Sequence, residues 1–282
     1  LGLPDRDYYL DETNEKFADA RTKYQAYIAQ VLTLAGYPDA QGKAARIFAL
    51  EKKIATAHWS QVESRQIDKL YNPVARTAIA AQYPGFDWAP YLEAAGLAGQ
   101  DTIVITQPSA IKGAASLIAS EPLALWQDYL AFHTLRAASP YLPKAHVDAN
   151  FAFYGTALSG APQNQPRWKR AVDRTSEVLG EAVGALYVAE YFPPEAKAKA
   201  DELVKNIIAA MDTRLAGLEW MAPATRTQAR AKLAGFTAKI GYPDKRLHYS
   251  PLQAVRSASL GNSHTATRWA YQRELDKIGK PI

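Results

Sequence analysis

FAFYGTALSG (residues 151–160), PRWKRAVD (166–173), LGEAVGALYVAEYFPPEAK (179–197), LEWMAPATRTQARAKL (218–233) and KIGYPD (239–244) succeed one another in the run from Phe151 to Asp244. The punctuation of this run is helical. Pro166 opens a helix carrying Trp168, Val172, Val178, Leu179, Val183 and Leu186. Pro193-Pro194 must end it, because a proline ring fixes φ and removes the N–H that the preceding turn needs. A new helix begins at Glu195, where Leu203, Ile207, Met211, Leu215 and Leu218 form a stripe opposite Lys197, Lys199, Glu202 and Lys205. That pattern puts one face on a core and the other in water. A further helix is expected from Thr225 to Ile240, stopped by Gly241 at C′ with Pro243 just beyond.

Outward from that run the periodicity stays helical. Phe17, Tyr24, Ile28 and Val31 share one face of a helix expected from Asp11 to Gly36, and Ile47, Leu50, Ile54 and Ala57 share one face of a second from Ala44 to His58. The two should pair antiparallel. Between Trp59 and Gly99 the pattern weakens; Asn72-Pro73 and Pro84-Gly85 read as turns, and Asp87 is placed to cap a short helix through Trp88 and Tyr91 to Ala95. TIVIT, residues 102–106, is the one strand candidate. Ser120 reads as the N-cap of a helix with Leu123, Trp126, Leu130 and His133 on one face, ended by Pro140 and Pro143. The fold class that follows is mainly α, multi-helix, with at most a minor β element.

Composition bounds the partners. Hydrophobic residues at 48% and charged residues at 22% are ordinary for a globular chain of 282 residues. The net charge of +5 arises from 33 basic against 28 acidic residues scattered along every segment, so no nucleic acid partner is expected. The weakly polar stretches are broken by Lys112, Glu121 or Glu190, so no membrane span is expected in this chain. There is no cysteine, which removes disulfides and thiolate metal ligands. The opening Leu1-Gly2-Leu3-Pro4 lacks an initiator methionine and suggests a fragment.

Catalytic chemistry is sought in the histidines His58, His133, His146, His248 and His264, of which the closest two are 13 residues apart. A gluzincin site needs His-Glu-x-x-His, because residues four apart on a helix aim two imidazoles at one metal while the Glu activates its water. No such pair exists here. His133 reads as a hydrogen-bonded core residue and His58 as a partner of a helix end. Ser159 lacks the nucleophile-elbow glycines and a preceding strand. Gly180 and Gly184 read as points of close helix packing, and Glu177 with Glu181 as a solvated acidic face. Tyr8, Tyr9, Trp88, Tyr91, Tyr154 and Trp220 can line a peptide-binding surface or fill the core, and the core is the better reading. No catalytic, cofactor-binding or metal residue is assigned.

LGLPDRDYYL at residues 1–10, FYGTALSG, PRWKRAVD, LGEAVGALYVAEYFPPEAK, LEWMAPATRTQARAKL and KIGYPD, in this order, resemble the neprilysin and endothelin-converting-enzyme family of zinc metalloendopeptidases, whose bacterial members include oligopeptidase O. The resemblance covers nearly the whole chain. Ala171 stands where many animal members carry cysteine. The resemblance implies a zinc endopeptidase in which a helical domain covers a catalytic domain and encloses a chamber admitting short peptides. Residues 1–247 would be that helical lid, and 248–282 a connecting segment towards a catalytic domain beyond Ile282. The family's His-Glu-x-x-His and third-ligand motif have no counterpart here. Zinc is expected in the intact parent and none in this chain alone, which should be inactive by itself. The partners implied are the C-terminal catalytic portion of the same protein and short peptide substrates; the implied location is periplasmic or secreted. The rivals are a free-standing helical peptide- or protein-binding module and a basic scaffold for anionic surfaces.

Overall fold

The computed structural model describes residues 1–280. Its helices, in chain order, are α1 (Asp7–Leu10), α2 (Glu15–Leu34), α3 (Ala40–Ala57), α4 (Ile67–Leu70), α5 (Ile79–Gln82), α6 (Trp88–Ala94), α7 (Pro108–Ser120), α8 (Leu123–Ala138) and α9 (Lys144–Asn150). A π-helical run, Phe151–Leu158, follows without a break. Then come α10 (Arg167–Val178), α11 (Gly180–Tyr191), α12 (Pro194–Ala216), α13 (Pro223–Ala234) and α14 (Ser259–Leu275). The fold is mainly α, as the periodicity requires. The chain divides into two compact units, one formed by Leu1–Asn164 with the stretch from Glu274, the other by Gln165–Arg273.

The first unit is built on the pair α2 and α3. Asn14 caps α2 by accepting from the Lys16 N–H at 3.0 Å, so the helix starts at Glu15, inside the expected Asp11 boundary. It ends in a Schellman closure: Gly36 adopts φ 78°, its N–H donates to Thr33 O at 3.0 Å, and the Tyr37 N–H donates to Leu32 O at 3.0 Å. The inward stripe is the expected one, with Tyr24, Ile28 and Val31 on α2 and Ile47, Leu50 and Ile54 on α3 all buried. Phe132 of α8 and Phe153 of the π-helical run close the core against Tyr24 and Tyr27, with ring centroids 5.3–6.1 Å apart. Gly2 lies so near this core that a Cβ there would sit 1.7 Å from the Tyr24 hydroxyl oxygen, so only glycine fits.

Three turn and cap readings in this unit also depart from the sequence reading. Asn72-Pro73 is not a turn: Asn72–Ala75 forms β1, antiparallel to β2 (Thr102–Ile105), with Pro73 opposite Val104. A two-stranded ribbon leaves outer ladder positions unpaired, so the missing proline N–H costs it nothing there. The Asn72 side chain donates to Ile105 O at 2.9 Å. Ser120 is the last residue of α7, and α8 starts after Pro122 with no side-chain cap. Asp87 stands at the N-cap position of α6, but its side chain makes no capping bond.

The second unit consists of helical pairs held by loop residues. The expected long helix from Pro166 is broken at Leu179, giving α10 and α11. α13 ends at Ala234 with Gly235 as its cap, six residues before Gly241. The sequence GFT that follows replaces helix-favouring residues with glycine, an aromatic and a β-branched residue. Gly241 instead turns at φ 68° in the loop, against the ring of Phe192. Arg230 of α13 forks onto Asp212 of α12 through two bonds of 2.7 and 2.9 Å. Lys197 of α12 donates to Tyr242 O and to Asp244 at 3.0 and 2.9 Å. The Tyr249 ring packs 5.3 Å from that of Trp269.

Candidate functional site

Glu51 is the most unusual group in the chain. It lies within the apolar stripe of α3, one residue after Leu50 and four after Ile47, and no part of it reaches solvent. Three helices aim hydrogen-bond groups at its carboxylate. Tyr9 of α1 donates to Oε2 at 2.6 Å, Tyr24 of α2 donates to Oε1 at 3.0 Å, and His133 Nε2 of α8 lies 2.6 Å from Oε1. The Gly2 N–H also points at Oε2, at 3.4 Å. Burial alone would push the Glu51 carboxyl up; the bonds from His133 and Tyr9, with the charge of His133, outweigh it and hold the carboxyl below its usual range. The Tyr9 and Tyr24 hydroxyls respond oppositely, both raised far above the ordinary phenol range by burial and by the neighbouring carboxylate.

A second polar layer adjoins the first. Arg136 donates to the Tyr154 hydroxyl at 3.1 Å, and that hydroxyl donates to Gly2 O at 2.9 Å. Burial pushes Tyr154 up to about 12, with Arg136 opposing it. The arrangement is a locked network. Both Glu51 oxygens are taken by fixed donors, and no face of the carboxylate is open to a substrate or metal. Its effect is to tie the segment Leu1–Leu10 to α2, α3 and α8.

The other sequence candidates are dispersed. His58 lies in the first unit, where burial, followed by the charges of the Leu1 amino group and of Arg6, lowers its pKa, and its backbone oxygen accepts from Arg6 Nη1 at 2.7 Å. His146 is buried on α9, and its Nδ1 has no partner. His248 Nδ1 lies 2.9 Å from Ser250 Oγ, and His264 sits on α14. Ser159 Oγ donates to Tyr154 O at 2.8 Å, closing the π-helical run. Glu177 pairs with Arg174 at 2.7 Å, while Glu181 accepts from the Leu247 N–H and is therefore not a solvated face. Gly180 and Gly184 have no atom within 4 Å of a would-be Cβ, so within this chain they are not points of close packing. Tyr9 and Tyr154 serve the core network, Tyr8 stacks on Phe17 at 4.3 Å, and Trp88 packs among Tyr83, Phe86 and Tyr91, while Trp220 is exposed.

Among the described residues no three His, Asp or Glu side chains converge as metal ligands. The pair of His133 with the buried Glu51 does not fit a zinc ion, because the carboxylate lone pairs already face two tyrosine hydroxyls and a backbone N–H. An open cavity of about 530 Å³ borders Leu3, Arg6, His58, Trp59, Arg65 and Gln107. Its polar groups are largely engaged with one another, as Trp59 N–H with Gln107 Oε1 at 3.2 Å. The Glu51 network was missed in the sequence because Tyr24 counts as apolar in a stripe; a lone carboxylate among Ile47, Leu50 and Ile54 was the available signal.

Comparison with known proteins adds what the geometry does not carry. The model of "Peptidase family M13" matches residues 1–243. Endothelin-converting enzyme 1 of Rattus norvegicus is 28% identical over 249 residues, covering 86% of this chain and 33% of that protein. Neprilysin-2 of Drosophila melanogaster is 28% identical over 267 residues, covering 88% and 34%. The zinc metalloprotease ZMP1 of Mycobacterium tuberculosis, solved in an open state, superposes with a TM-score of 0.88 at 39% identity, covering 100% of this chain and 44% of that one. The chain thus spans about a third of the length of these curated relatives and under half of that solved chain.

Proposed function

The chain belongs to peptidase family M13, and from that premise we propose that it is the N-terminal, non-catalytic portion of a zinc-dependent endopeptidase that cleaves short peptides. Its role in the parent is enclosure: residues 1–247 form a helical lid that limits substrate size, and 248–282 lead towards the catalytic portion. The observation that carries this reading is the match of the entire chain to less than half of a zinc metalloprotease. Zinc, held by residues of the parent outside this chain, would supply the Lewis-acid chemistry for peptide hydrolysis.

The parent is read as a bacterial protein exported to the periplasm or secreted, on the family resemblance. No helix among the described residues is long and apolar enough to cross a membrane. The test is direct. This chain with added zinc should not hydrolyse short peptides, whereas the intact parent should, and a chelator should stop it. Chelator-sensitive hydrolysis by the chain alone overturns the reading.

A further inference from the structure

The ribbon of β1 and β2 has two edges of unlike character. Paired residues of an antiparallel ladder alternate between exchanging both hydrogen bonds and exchanging none. The Arg76 N–H donates to Asp101 O at 2.8 Å, and the register continues through Val74 with Ile103 and Asn72 with Ile105, so these are the bonded pairs. Pro73 with Val104 and Ala75 with Thr102 are therefore the pairs whose backbone groups point away from each other. On the β1 side the outward groups include those of Pro73, which has no N–H to offer. On the β2 side they are the N–H and C=O of both Thr102 and Val104, and no other described residue bonds to them. Ile103 and Ile105 pack with the apolar cluster of Val74, Ile79 and Tyr83, while Thr102, Val104 and Thr106 are exposed. Proteins guard a free edge with proline, lysine or a bulge; β1 carries such a guard, and TIVIT carries no proline or charge.

We propose that the outer edge of β2 pairs antiparallel with the same edge of a second copy of this chain, in isolation and in the parent, joining two ribbons into one four-stranded sheet. The sequence of the edge selects that occupant. Thr102-Ile103-Val104-Ile105-Thr106 reads identically in both directions, so a two-fold axis at Val104 brings Val104 against its own counterpart and each Thr102 against a Thr106. Val104 then exchanges two hydrogen bonds with its counterpart. Threonine meets threonine and valine meets valine on the exposed face, and Ile103 meets Ile105 on the other, the kind of cross-strand pairs that stabilise antiparallel sheet. Charge does not oppose the contact, because Asp101 falls opposite the neutral Gln107. Pro73 on the far edge of each ribbon blocks further strand addition, so the assembly closes at two. An unrelated extended peptide would meet the backbone groups equally but would draw nothing from the palindrome. The pairing rests on the ribbon alone and not on the peptidase reading.

Sedimentation velocity of this chain and of the intact parent, over increasing concentration, reads the association directly. Both should show a dimer whose fraction rises with concentration. The chain has no cysteine, so Val104→Cys introduces one thiol per copy. Opposite residues of an antiparallel pair hold their Cβ atoms about 4.5–5.5 Å apart, within reach of a short bismaleimide, so this variant should cross-link to itself. Ala75→Cys, exposed on the guarded edge of β1, should not. Val104→Pro removes one outward N–H per copy, opposite a position where Pro73 already sits in the ribbon, and should weaken association by roughly tenfold or more with the circular dichroism of the chain unchanged. Val104→Lys, which sets like charges against each other at the axis, should do the same and serves where the proline variant misfolds. A chain that stays monomeric at every concentration overturns the proposal, as does a dimer insensitive to both substitutions or one that cross-links equally through Ala75→Cys. So does a dimeric chain whose intact parent is monomeric, because the edge is then filled within one polypeptide.

Discussion

Glu51→Gln is the most informative single change, because it keeps the shape of the side chain and removes only charge and one acceptor. The carboxylate accepts four hydrogen bonds, from Tyr9, Tyr24, His133 and the Gly2 N–H. A bond to a charged group contributes about 1.5–3 kcal/mol and one to a neutral group about 0.5–1.5, so each bond that survives loses about 1 kcal/mol. The amide end of the glutamine also faces donors rather than acceptors, stranding at least one of them. We expect a loss of about 3 kcal/mol at pH 7, which corresponds to a fall in melting temperature of roughly 6–12 °C for a unit of this size.

The pH dependence gives the second readout. The Glu51 carboxyl is held below its usual range in the folded chain, so its contribution is fully present above the unfolded carboxylate pKa of about 4.3 and is lost as pH falls through the folded value. The gap between parent and variant melting temperatures, measured by circular dichroism, should be flat from pH 7 to about pH 5 and shrink below that. A variant that melts within 2 °C of the parent, on the scale of roughly 6–12 °C set above, refutes the assignment of the network as the lock of the first unit. So does a gap that widens in acid.

Other outcomes are quickly checked. Phe132→Ala, which empties a fully buried site between Tyr24 and Tyr27, should cost about 3–5 kcal/mol in urea unfolding, and a cost below 1 kcal/mol would mean the site collapses around the deletion. Gly184→Ala sits mid-helix with no atom within 4 Å of the added carbon, so it should stabilise the isolated chain by about 1 kcal/mol; a destabilisation would show a neighbour that the structure lacks.

The sequence by itself determined the helices whose ends carry local chemistry. The α2 stop at Gly36, the α3 stripe of Ile47, Leu50 and Ile54, and the break at Pro193-Pro194 all rest on interactions within a few residues, which periodicity and proline or glycine report directly. Its motifs also carried the family resemblance. What local pattern could not report was anything set by distant partners. Asn72-Pro73 became a strand because TIVI lay ready to pair with it 30 residues later. Ser120 ended one helix instead of starting the next. Glu51 became the centre of a polar network because α1, α2 and α8 brought Tyr9, Tyr24 and His133 to it, and a carboxylate can be buried only where such donors replace water. The stripe on α12 shows the converse limit. Its period is that of a core face, but whether a ridge is buried depends on what packs against it, and in this chain Leu203, Ile207 and Met211 remain in water.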